Sequence, residues 1–379
     1  MKKPKGSLIS YFSRKVAKGG GINLAQGKPG FAPPTELLSI LKEKIADKSL
    51  HQYAPGNGNF DLLELLAGRG AGSSHNNIST DNLLIVQGAT EGIFLSFLYL
   101  TRILEKPFSV LSFDPVYESY PRLPEIFFIP FEYFDLQADL SVDFDNLEKT
   151  IVEKKVKIIF IASPGNPLGK VWTRREIEKL VLLSKKYGFY IVFDAVYKDI
   201  YFEKPPFNPL TLDYEKLFYV DSFSKMLSIT GWRIGYLISG AEDMVRIRDI
   251  HDYTGLSAVP LFQAAIFEYL DRHDFGREYI EAVRTKCGNA YRFMREALAE
   301  LGFTVADSQG GYFLWARLPE KYNDAFRFAM DLYDAVKVAV VPGENFSPRK
   351  KDCIRINIAL EMAVIEEAAR RIKNFFENV

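Results

Sequence analysis

Residues 217–238 read LFYVDSFSKMLSITGWRIGYLI. Leu217–Val220 is a short apolar run of strand formers, Asp221-Ser222-Phe223-Ser224-Lys225 is a hydroxyl-rich turn holding one lysine, and Thr230-Gly231-Trp232-Arg233 leads into a second apolar run, Ile234–Ile238. A lysine in a turn is ordinarily a solvated surface charge. Its neighbours change that reading here. Ser222, Ser224 and Arg233 can offer two hydroxyl donors and a guanidinium fork to one phosphate, beside an amine able to form an imine.

Outward from this stretch, from about Asp61 to Ala258, short apolar runs alternate with helical patterns, which is the signature of a mostly parallel sheet covered by helices. The other expected strands are Leu83–Val86, Ser109–Phe113, Lys157–Ala162 and Tyr190–Phe193. Between the last two, Thr173 and Glu176 form a capping box ahead of a crossover helix whose apolar positions Ile177, Leu180 and Val181 follow the helical period. After about Phe275 the pattern becomes a long helix through Leu301, short strands near Tyr312–Leu318, Val338–Val341 and Ile354–Ile358, and a final helix, which reads as a smaller α+β unit. The first 35 or so residues contain Gly19-Gly20-Gly21 and Pro33-Pro34, too irregular for a core element, and are expected to wrap onto that smaller unit. A chain of 379 residues also exceeds what one core covers. The expectation is an α/β fold with a large domain over residues 36–270 and a small domain from residues 1–35 and 271–379.

Composition narrows the function. Apolar residues make up 47% and charged residues 25%, as in an ordinary globular protein, and Lys plus Arg equals Asp plus Glu at 48 each, so there is no net field to hold nucleic acid. Cys287 and Cys353 lie far apart, outside any CxxC spacing, which argues against a disulfide framework or cysteine metal site and suits a reducing cytoplasm. His51, His75, His251 and His273 have no metal-ligand spacing, and no G-x-S-x-G elbow is present to serve a triad. The basic start is interrupted by Ser10, Ser13 and Arg14, and the apolar stretch Leu83–Leu100 contains Gln87, Thr90 and Glu91, so neither a secretory signal nor a membrane span is expected.

The pattern S-x-S-K followed by G-x-R, from Ser222 to Arg233, resembles the class I/II aminotransferases of pyridoxal-phosphate (PLP) fold type I, and the likeness extends from about Ile22 to Leu360 with the motifs in the family's order. The resemblance implies that Lys225 carries the cofactor as a Schiff base. Gly88-Ala89-Thr90-Glu91 opens a helix after an apolar strand, where free N–H groups and the helix dipole favour an anion, and the family places Ala89 and Thr90 on the phosphate with Ser222, Ser224 and Arg233. Tyr117, in Asp114-Pro115-Val116-Tyr117, is implied to lie flat against the cofactor ring. Asn166, in Ser163-Pro164-Gly165-Asn166-Pro167-Leu168-Gly169, and Tyr197 are implied to bond the phenolic oxygen, although Leu168 replaces the usual threonine. Asp194 ends an apolar strand, where a carboxylate needs a cation or donor. The family's answer is the ring nitrogen, with Ala195 here replacing a common glutamate. Arg355 sits in an apolar strand and is implied to clamp the substrate α-carboxylate with help from Gly27 and Asn166, while Tyr53, in His51-Gln52-Tyr53-Ala54-Pro55, is implied to cross to the partner's phosphate in a homodimer.

The implied reaction is ping-pong transfer from an L-amino acid to a 2-oxo acid, with Lys225 moving the α-proton. One rival on the same scaffold is a carbon–sulphur β-lyase, which often has histidine at the position of Tyr197. Another is an aspartate-type aminotransferase, for which Lys28 beside the carboxylate loop would be the attracting charge. A ligand-sensing regulator is disfavoured because little precedes Ile22. His51–Pro55, Gly88–Glu91 and Asp114–Tyr120 resemble the branch acting on methionine, glutamine, kynurenine and aromatic amino acids, so a neutral donor is expected.

Overall fold

In the computed structural model, which describes residues 3, 4, 6–70 and 78–377, thirteen strands are present among the described residues. They are β1 (Ile22–Asn23), β2 (Leu83–Val86), β3 (Ser109–Asp114), β4 (Phe131–Asp135), β5 (Val156–Ala162), β6 (Tyr190–Asp194), β7 (Leu217–Ser222), β8 (Gly235–Ile238), β9 (Thr304–Val305), β10 (Phe313–Arg317), β11 (Val338–Ala339), β12 (Val341–Pro342) and β13 (Cys353–Asn357). Seven of them form one sheet in the order β2-β8-β7-β6-β5-β3-β4. Within it β7, β6, β5, β3 and β4 pair in parallel, and β8 is antiparallel to both neighbours.

Side-chain alternation sends successive residues to opposite faces, and both faces are covered. Leu83, Ile85, Ile159, Ile161, Ile191 and Phe193 join one buried cluster, whereas their neighbours Leu84, Val86, Ile158, Phe160 and Val192 join another. A strand buried on both sides reads as an unbroken apolar run, which is why β2, β5 and β6 stand out in the sequence. β4 does not, because this edge strand, Phe131-Glu132-Tyr133-Phe134-Asp135, is only half covered and keeps two acids. The capping box at Thr173 and Glu176 forms as expected and starts the crossover helix Arg174–Tyr187.

The second sheet, β12-β13-β10-β9, is antiparallel and packs with the helices Arg277–Glu300, Ala325–Val336 and Met362–Glu377. The expected strand Val338–Val341 is split: β11 pairs with β1, while β12 pairs with β13. The long helix begins only after Phe275 and Gly276, whose positive φ values of 59° and 74° break the helical run. The reading of the first 35 residues as irregular is corrected. Leu8–Gly19 is a regular helix capped by Ser7, its Phe12 fully buried in the second core, and the glycines merely end it.

Candidate active site

The parallel strands share one edge at their carboxyl ends, and β8, running the other way, brings its amino end to that same edge. A cavity of about 270 Å³ opens there. Every strand of the sheet but the edge strand β4 delivers a group to it: Ala89 and Thr90 after β2, Tyr117 after β3, Asn166 after β5, Asp194 and Tyr197 from β6, Ser222, Ser224 and Lys225 from β7, and Arg233 before β8. Gly27 and Arg355 of β13 close it from the side of the second sheet. Tyr53 is not brought in. The residue is 86% exposed in the single chain.

The turn after β2 is shaped by Gly88, with φ 77°, where a Cβ would run into the Arg233 guanidinium. Glycine is needed there on both counts. Arg233 in turn donates to the carbonyl oxygens of Thr230 at 3.1 Å and Gln87 at 3.2 Å. The helix Ala89–Ile103 starts without a side-chain cap, and with the Glu91 N–H given to the Gly88 carbonyl oxygen, those of Ala89 and Thr90 are left for a ligand at the cavity wall. Ser222 Oγ lies 2.8 Å from Ser224 Oγ and 2.9 Å from the Ile234 carbonyl oxygen. Two hydroxyls, a guanidinium and an uncapped helix start thus converge at one end of the cavity.

Lys225 donates to the Gly27 carbonyl oxygen at 2.5 Å. Burial, with repulsion from Arg355 and Arg233, lowers its pKa to about 8, against the opposing pull of Asp194. Asp194 accepts from Tyr120 Oη at 2.8 Å and from the Val196 N–H at 3.2 Å, yet burial still raises its pKa to about 6. The Tyr197 phenol is pushed up by burial, its ring set edge-on to Tyr312 and Phe313 at 5.3 and 5.7 Å. Arg355 is fully buried between the rings of Phe313 and Phe346, at 4.0 and 4.7 Å from their centroids, and donates to Asn166 Oδ1 at 3.0 Å and the Ala25 carbonyl oxygen at 2.6 Å. Burial lowers its pKa to about 10, so it stays charged at neutral pH, and both of these hydrogen bonds go to neutral oxygens rather than to a carboxylate. A buried cation so placed awaits an anion.

Sequence reasoning passed over Tyr120, Glu118, Ile9 and Thr230, which also line the cavity. Tyr120 lies in the first turn of the helix Ser119–Ile126, its ring edge-on to Tyr117, and its pairing with Asp194 joins residues distant in sequence. Ile9 lies on the helix that was read as irregular. The two departures from the family pattern both turn inward: Leu168 packs in the second core and Ala195 is fully buried in the first. Among the described residues no His/Cys/Asp/Glu group could hold a metal, and no helix is long and apolar enough to cross a membrane; His75 lies outside those residues. Cys287 and Cys353 are both free and buried.

A family model described as aminotransferase class I and II matches residues 20–372. The chain belongs to that family. An aspartate aminotransferase of Thermotoga maritima is 28% identical over 362 residues, covering 94% of this chain and 92% of its own. An aromatic-amino-acid aminotransferase of Thermococcus litoralis is 28% identical over 369 residues, covering 93% of this chain and 91% of its own. The solved aspartate aminotransferase of Thermus thermophilus with maleate superposes with a TM-score of 0.90 over 99% of this chain and all of its own at 23% identity, a likeness of fold. The protein is therefore a transaminase, and class I/II aminotransferases use pyridoxal 5'-phosphate.

Proposed function

We propose that this transaminase takes its amino group from a neutral L-amino acid, methionine, glutamine or an aromatic one, and passes it to a 2-oxo acid in two half-reactions. The observation that carries the choice is the set of cations lining the cavity. Among the described residues they are Lys225, Arg233 and Arg355, each with a task, so none of these cations is left for a second carboxylate on the substrate. Lys28, the charge that would favour an acidic side chain, is exposed and does not line the cavity.

The residues suit the cofactor. Ser222, Ser224, Arg233 and the free N–H groups of Ala89 and Thr90 form a cradle of donors for its phosphate. Asn166 and Tyr197 would hold the phenolic oxygen, Tyr117 would stack on the ring, and Asp194 would face the ring nitrogen. A cation beside Asp194 would offset the burial that raises its pKa, so each would keep the other charged. When bound, pyridoxal phosphate supplies an aldehyde carbon to receive the amino group and a ring that accepts the electron pair left by the α-proton.

The chain does the rest. Arg355 presents a charged fork to the α-carboxylate and so orients the substrate. Lys225, with its ammonium destabilised by burial and two nearby guanidinium groups, is available as a neutral base to take the proton from the substrate α-carbon. Tyr120 anchors Asp194 by donating a hydrogen bond to it. The test is a spectral screen of amino acids for conversion of the bound cofactor to its pyridoxamine form, with Lys225→Ala as the inactive control. Methionine, glutamine or an aromatic amino acid should exceed aspartate in kcat/KM, with Lys28→Phe changing the ratio little. A lead of tenfold or more for aspartate, about 1.4 kcal/mol of transition-state preference, would refute the neutral assignment.

A further inference from the structure

Once these roles are given out, one charge lining the cavity remains without a task. Among the described residues the charged side chains there are Lys225, Arg233, Arg355, Asp194 and Glu118. Glu118 immediately precedes the helix Ser119–Ile126 and is half-buried. Its position is fixed from behind: both carboxylate oxygens accept from Ser7 Oγ at 2.9 Å, and Oε2 also accepts from Asn345 Nδ2 at 2.8 Å. Asn345 Oδ1 meanwhile accepts from the Leu8 N–H at 2.8 Å, so the carboxylate is tied to the start of the N-terminal helix, whose Ile9 lines the cavity beside it. Asn345, which holds Glu118, directly precedes Phe346, whose ring packs 4.7 Å from the Arg355 guanidinium, and Glu118 itself directly follows Tyr117, so its carboxylate belongs to the Arg355 side of the cavity, and its charge acts on Arg355 and Tyr117.

We propose that Glu118 is a specificity-determining residue, which disfavours substrates with an acidic side chain and favours those whose side chain ends in N–H donors, an amide or an ammonium. This rests on the transaminase reading above, in which Arg355 holds the α-carboxylate. The physical case has two parts. A carboxylate has about four acceptor positions, and Ser7 and Asn345 leave Glu118 with capacity toward the cavity. A substrate carboxylate brought to the same region meets a like charge that its hydrogen bonds hold in place, and like charges across a binding interface are costly. The side chain must therefore be neutral, cationic or a donor, and a donor gains a partner that a thioether does not.

The experiment uses the holoenzyme and two unreactive ligands of nearly equal size, glutarate and its monoamide glutaramate, with dissociation constants read by calorimetry. Half-reactions with glutamine, lysine, methionine and glutamate run in parallel, the first two separating amide from ammonium. Wild type is expected to bind glutaramate about tenfold or more tighter than glutarate, and to turn over glutamine or lysine better than glutamate. Glu118→Gln should bring the two dissociation constants close together. Ser7→Ala, which removes a hydrogen bond and keeps the charge, should leave their ratio in place. Glutarate binding as tightly as glutaramate in wild type would overturn the proposal, as would a Ser7→Ala effect equal to that of Glu118→Gln. If no amino acid converts the cofactor, the transaminase reading fails, while the ratio of the two dissociation constants still decides the role of Glu118.

Discussion

Replacing Arg355 by lysine tests how the site grips its substrate. A guanidinium has five N–H groups. In Arg355 one on Nη1 goes to Asn166, one on Nη2 goes to the Ala25 carbonyl oxygen, and Nε is buried without a partner. One N–H on each terminal nitrogen is left, the pair that can hold both oxygens of a carboxylate. Lysine keeps the charge but presents a compact ammonium, which gives up the stack between Phe313 and Phe346 and cannot reproduce the fork. Loss of one charge-assisted hydrogen bond costs about 1.5–3 kcal/mol, which lowers kcat/KM for an L-amino acid about 10- to 150-fold. The assay compares methionine with 3-(methylthio)propylamine, the same molecule without its α-carboxylate. The amine never used the fork, so its slow half-reaction should change little. If Arg355→Lys slows amine and amino acid by the same factor, Arg355 supports the fold and does not bind substrate, and the reasoning fails.

Two further outcomes follow from the geometry. Because the Lys225 pKa is lowered to about 8, the neutral amine fraction in cofactor-free protein should reach one half near pH 8 and level off about one unit above that; the rate of cofactor uptake by stopped-flow should trace that curve, and a midpoint near the ordinary lysine value of about 10.4 would contradict it. Tyr53, Tyr253, Leu256 and Val259 are exposed, and Gly56 lies against Asp252 and Leu256, so an apolar patch is offered to a second copy; light scattering should show a homodimer, and mixed Tyr53→Phe and Lys225→Ala chains should be more active than the two alone, whereas a fully active monomer would exclude the arrangement.

What could be read in advance follows a physical division. Lys225, Ser222, Ser224 and Arg233 lie within one short turn between two buried strands, so local order alone brings them together. Asp194 and Arg355 were visible for a related reason: a charge inside an apolar run is expensive, and the structure buries both. Tyr120 and Glu118 carried no such mark, because a tyrosine and a glutamate at the start of a helix are unremarkable until Asp194, Ser7 and Asn345 arrive from distant segments. The N-terminal helix was hidden for the opposite reason, since the glycines and prolines that follow it dominated the reading of a segment whose apolar residues, Leu8 and Phe12, fall four apart and are buried. Long-range pairing also accounts for β11 and β12, where a single apolar run is divided between two sheets by partners at Ile22 and Arg355. The chemical centre is therefore written locally at the strand ends, whereas the wall proposed to choose the substrate is assembled from segments more than a hundred residues apart, and only the fold brings that wall into being.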